Sequence, residues 1–151
     1  MLASTIIIIV SAALFVYWFR YSCVLILNTK TIQSYAADVA RSRQLQFLEI
    51  QHSLESGGAM AYEDMRAGLR RDYDKISGLL RSGIPQQNEE ESDAYVLERA
   101  MLGMSFRWLN VQYAVASKFS ERVARQALLE MSHIVEHHAN AFGEALAAQR
   151  C

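Results

Sequence analysis

Two Glu-x-x-His pairs, Glu49-Ile50-Gln51-His52 and Glu130-Met131-Ser132-His133, hold the side chains with the most chemistry to offer. On a helix, a spacing of three sets carboxylate and imidazole on one face, where they can share a metal ion. Di-iron carboxylate bundles draw two such pairs, and one further Glu from each of two other helices. Helical phase tests whether these pairs point inward. At 100° per residue, Glu49 and His52 fall about 120° and 180° from the apolar stripe of their own segment, and Glu130 and His133 about 80° and 140° from theirs. Leu45 and Leu48 share a side with His52, but Glu98 is the one acid suitably placed in the segment 89–116. The segment 60–81 offers only Asp64, Asp72 or Asp74. The expectation is therefore that Glu49, His52, Glu130 and His133 do not form a metal site, and no cofactor is implied.

The run His133-Ile134-Val135-Glu136-His137 matches the inverted zinc-protease pattern H-x-x-E-H. Both histidines and Glu136 fall on the polar face, and no downstream acidic motif marks a third ligand. His138 falls alone on the apolar face and reads as a buried histidine satisfied by one polar neighbour. The sequence has no glycine-rich phosphate loop, nucleophile elbow or cysteine metal set. Cys23 and Cys151 are too few and too unlike in position for a disulfide framework, and read as thiols in a reducing compartment. Fifteen basic and sixteen acidic residues are interspersed, which gives no electrostatic footprint for nucleic acid. No catalytic constellation emerges, and the chain reads as a non-enzyme.

Ala, Leu, Glu, Arg, Gln and Met dominate, with one Pro and seven Gly. Those are strong helix formers, and the expected fold class is all-α. The expected architecture is an N-terminal single transmembrane helix over residues 1–27, then an antiparallel bundle of about four helices over 28–151. Residues 3–19 carry no charge, Pro or Gly, the short end of a bilayer-spanning helix. No basic segment precedes this run, and Val16, Tyr17, Trp18 and Phe19 stand where a small-x-small cleavage site would be required. Arg20 occupies the position where a lipobox before Cys23 needs an aliphatic residue. The run therefore reads as an uncleaved anchor. Tyr17, Trp18 and Tyr21 form an aromatic belt at the membrane interface, with Arg20 reaching phosphate depth among them. Arg20, Lys30, Arg41 and Arg43 follow the span and no basic side chain precedes it. This asymmetry predicts a single-pass protein of the inner (plasma) membrane with its C-terminal domain in the cytoplasm.

In the soluble part, Ile32, Ala36, Val39, Phe47, Ile50 and Leu54 recur at helical spacing, interrupted at Arg43, and predict one helix over 32–55 that Ser56-Gly57-Gly58 ends. Tyr62, Met65, Leu69, Tyr73, Ile76 and Leu80 predict a second over 60–81, with Asp72 among the charged residues of its outer faces. The loop at 83–88 precedes a third, over 89–116, with Asn88 and Glu91 spaced as a capping box. Residues 100–116 hold one charge, Arg107. A central Arg cancels about 3 kcal/mol of insertion energy, more than five good apolar residues supply, so a second span is not expected. A helix this apolar is central in a bundle or pressed on a partner, in coiled-coil fashion. Phe106 and Trp108, on different sides, mark the candidate partner surface. A turn at 117–120, in preference to one continuous helix of more than 50 residues, leads into the last helix, over 119–148, with its core face at Val123, Ala127, Met131, Ile134, His138, Phe142 and Ala145. The function expected is that of a membrane-anchored accessory, scaffold or tethering subunit, whose partners are the lipid bilayer and another protein or a second copy. The alternatives are a metal-binding bundle and a small-molecule sensor with a pocket lined by Tyr62, Tyr73, Trp108 and Tyr113.

Overall fold

The computed structural model describes residues 2–28, 34–57, 61–83 and 89–149. Among them are six helices and no strand: α1 (Leu2–Asn28), α2 (Ala36–Arg43), α3 (Phe47–Ser56), α4 (Tyr62–Gly83), α5 (Glu89–Ala116) and α6 (Glu121–Ala148). The fold is all-α, an N-terminal apolar helix and a helical bundle. The chain divides into two compact units, Met1–Lys30 and Thr31–Cys151. Lys30, Ile32, Gly58, the loop at 84–88 with Asn88, the side chain of Glu91, and Cys151 lie outside the described residues.

The first unit is α1. Its Ile, Val, Leu and aromatic side chains are exposed on every side from Ile6 to Trp18, while Phe19 is half-buried and Cys23 buried. Residues Ala3–Leu27 are long and apolar enough to cross a membrane. At 1.5 Å per residue that is about 38 Å, more than the ~30 Å hydrocarbon thickness. The helix is thus longer than residues 3–19. One Arg does not interrupt backbone hydrogen bonding, and Val24-Leu25-Ile26-Leu27 resumes the apolar run. Tyr17, Trp18, Arg20 and Tyr21 accordingly lie inside α1, with two turns of helix beyond them.

In the second unit α6 is the hub: α2, α3, α4 and α5 all pack on it. Its buried face is broader than the single expected stripe. Ala124, Leu128, Val135, Ala139 and Gly143 are buried beside Ala127, Met131, Ile134, His138 and Phe142, whereas Val123 is exposed and Ala145 half-buried. Four neighbours need more than one stripe, and small residues admit them. A Cβ on Gly143 would overlap the Tyr35 side chain, so this glycine sets how closely the segment before α2 approaches α6. A turn at 117–120, with Ser120 N–H on Ala116 C=O at 2.8 Å, folds α5 back along α6. The two therefore run antiparallel, and α5 is peripheral rather than central.

The helix expected over 32–55 is two helices. Gln44 takes the left-handed conformation, φ 53°, and its N–H closes α2 on Ala40 C=O. After Leu45 and Gln46 the chain restarts as α3, with Leu45 and Phe47 both buried. Neither Tyr35 nor Gln46, the N-cap residues, provides a side-chain cap. Remote side chains do so instead. Asn140 Oδ1 of α6 accepts the Ala36 N–H at 2.7 Å, and Asp72 Oδ2 of α4 accepts the Gln46 N–H at 2.6 Å. Asp72 is 3 % exposed, contrary to its expected place among the solvated charges. Burial raises its pKa, against the Gln46 and Phe47 N–H groups that lower it. An orphan helix N-terminus is a ready partner for such a carboxylate.

Candidate functional site

The residues that could hold a metal do not converge. Glu49 and His52 are exposed on α3. Glu130 is half-buried on α6 and accepts a hydrogen bond from Gln126 Nε2 at 3.3 Å. The exposed His133 lies 3.4 Å from Glu136 Oε2 through Nδ1, and that carboxylate raises its pKa. His137, the remaining member of the H-x-x-E-H run, turns instead to α5, where its Nε2–H donates to Glu98 Oε1 at 2.6 Å. This bond holds the Glu98 carboxyl below its ordinary range. The run is thereby split into two separate pairs, and Glu98 is engaged with α6 rather than with a metal. Among the described residues, no group of three or more His, Cys, Asp or Glu is placed to hold an ion.

His138 lies in the interior, 2 % exposed. Its Nδ1–H donates to Ile134 C=O at 2.8 Å, and its ring meets the Tyr73 ring edge-on at 5.5 Å. Tyr73 in turn stacks on Phe106 at 4.1 Å. Desolvation pushes the imidazole down to about 4, so it is neutral at pH 7 and acts as a packing group. The same stack corrects the expected partner surface. Phe106 is 4 % exposed and belongs to the core, while Trp108 is 57 % exposed. The four residues of the expected sensor pocket are not all brought together, since Tyr73 stacks on the buried Phe106 and Trp108 is exposed on the other side of α5. Tyr62 donates through Oη to Glu121 at 3.0 Å, Tyr113 is buried under the Arg66 guanidinium, and Trp108 faces outward.

What α5 does present is a second apolar face. Leu102, Phe106, Leu109, Tyr113 and Ala116 are buried toward the bundle. Opposite them Leu97, Met104, Trp108, Val111 and Val115 are 57–62 % exposed, and Phe119 in the following turn is 84 % exposed. With the half-buried Met101, the face runs 97, 101, 104, 108, 111, 115. That 4-3-4-3-4 spacing is the seam of a coiled coil. Ala100, Ser105, Gln112 and Ala114 flank it, with Arg107 the exposed charge along its middle. At its C-terminal end a groove of about 600 Å³ opens between Arg66, Asn110, Val111, Val115, Lys118 and Phe119. Arg66 is fixed there by donation to Asn110 Oδ1 at 2.6 Å. Sequence reasoning found the apolar character of this helix and Trp108. It missed Leu97, Met101, Met104, Val111 and Val115, for which the three-and-four spacing was the available signal. No protein-family model, curated protein or solved structure matches the chain.

Proposed function

We propose that this protein is a membrane-anchored, non-catalytic adaptor: α1 spans the bilayer once and the bundle presents the outer face of α5 to a protein partner. The observation that carries the reading is that face. Six large apolar side chains along one side of α5 and its following turn are 57–84 % exposed, the kind of apolar patch that marks an interaction site on a soluble surface. The bundle does not need the face for its own core, since Leu102, Phe106, Leu109 and Tyr113 already fill that role. Positive charge after the span supports a cytoplasmic bundle at the inner membrane. The side chains capable of chemistry are already engaged in pairs or solvated, which favours binding over catalysis.

Two measurements test this. Deleting residues 2–27 is expected to move the protein from the membrane fraction to the soluble fraction with the bundle folded; retention on membranes after deletion would remove the anchor. Replacing Trp108 and Val111 together by Glu is expected to leave helicity and melting unchanged while abolishing every association seen for the intact chain in native membranes. An unaltered set of associations would refute α5 as the binding face.

A further inference from the structure

Resting on that reading, we infer that the partner seated on the α5 face is α5 of a second copy of this chain, parallel and in register. The first argument is area. Two such faces brought together cover six side chains on each copy that are 57–84 % exposed, on the order of the ~1,200–2,000 Å² in total that stable, specific interfaces bury. The second is self-complementarity. In a parallel pair every layer of the seam meets its own equivalent, so Met101, Met104, Trp108, Val111 and Val115 form successive apolar layers with no polar residue between them.

Charge selects the orientation. Residues beside the seam set which helix pairs and in which direction. Antiparallel, with the whole seam overlapped, Arg107 would face Arg107 of the second copy across the interface. Parallel and in register, it faces Gln112 of the second copy, and the remaining central flanks are Ala100, Ser105 and Ala114. These are small enough for close approach. Glu98, which in this register faces the exposed Asp93 of the second copy, is already held by His137 at 2.6 Å, and Lys118 follows the seam at its far end. Confinement of both copies to one membrane by α1 raises their effective concentration, which favours pairing without further contacts.

The test uses the full chain with Cys23 and Cys151 replaced by Ser. Val111→Cys, treated in native membranes with a short bismaleimide, is expected to cross-link into dimers, whereas Gly78→Cys, at an open position on α4, is not. In detergent, sedimentation is expected to give twice the chain mass, and Met104→Glu with Val111→Glu to halve it at unchanged helicity. A single chain per particle, or cross-linking of Val111→Cys no greater than that of Gly78→Cys, overturns the inference. If the chain is monomeric but another protein is lost from it on Met104→Glu and Val111→Glu, the second copy is refuted and the adaptor reading stands. If nothing is lost, both fall.

Discussion

His138 makes the bundle acid-sensitive by an amount that can be worked out. Its imidazole is 2 % exposed, and the folded-state pKa is depressed from 6.5 to about 4 by desolvation. The unfolded chain therefore takes up the proton first as pH falls. Stability complete above about pH 6.5 is lost progressively until pH passes about 4, and the full depression corresponds to about 3 kcal/mol. Between pH 7 and pH 4.5 the loss is about 2 kcal/mol. The perturbation is His138→Met, which keeps an apolar side chain of similar size against Tyr73. Ile134 C=O loses the imidazole Nδ1–H but keeps the helical N–H of residue 138, so no orphan acceptor is left. Guanidinium unfolding of the full chain in detergent, followed by circular dichroism at both pH values, reads the effect. The wild type is expected to lose about 2 kcal/mol more than the variant. Asp72 titrates in both proteins and cancels in the difference. Equal losses in the two would refute the assignment of a buried neutral imidazole.

Three further expectations concern the joints of the bundle. Gly143→Ala forces a Cβ into the Tyr35 side chain and is expected to cost about 1–3 kcal/mol by overpacking. Gly78→Ala, which meets nothing within 4 Å, should be neutral or stabilise by up to about 1 kcal/mol through helix propensity; melting temperatures that fail to separate the two would refute the close approach. Asp72→Ala removes the acceptor of the Gln46 N–H and should cost about 1–2 kcal/mol, with Asp72→Asn milder. Hydrogen exchange should then be fastest in the first turn of α3. Glu98→Gln removes the carboxylate charge from the bond to His137 at a site 36 % exposed, so no more than about 1 kcal/mol is expected. The Glu98 pKa is lowered, so its contribution is present above pH 4.5 and fades as pH falls below that. Denaturation curves of wild type and Glu98→Gln should converge in that acid range.

The parts of the fold legible from sequence are those written in local chemistry. The uninterrupted apolar run announced α1, and the 3-4 seam from Met65 to Leu80 announced α4. The limits of α5 followed from the breakers at Gly83 and Pro85 before it and the polar Ser117-Lys118 after it, although no Gly or Pro marks the turn into α6. Phase arguments also placed His133 in water and His138 in the core. They worked because a helix fixes the relative direction of its side chains at 100° per residue, whatever surrounds it.

What failed was every question that depended on a second element. The stripe over 32–55 carried on through Gln44, and its interruption at Arg43 was the only local sign of a break. Tyr35 and Gln46 offer no cap of their own, so the two short helices begin where Asn140 and Asp72, 104 and 26 residues away along the chain, wait to accept their N–H groups. Nothing local could show that Asp72 was buried for this purpose. The same holds for α5. Its sequence determined that it had two apolar faces, but either could have met the bundle, and only the packing of Phe106 on Tyr73 against α6 left Trp108 outside. Sequence by itself determined where the helical segments lie, the break at 44–46 excepted, and how their side chains are arrayed around each helix. Tertiary structure decided which face each helix turns inward and where orphan backbone groups find partners, because burial and capping are properties of pairs of elements.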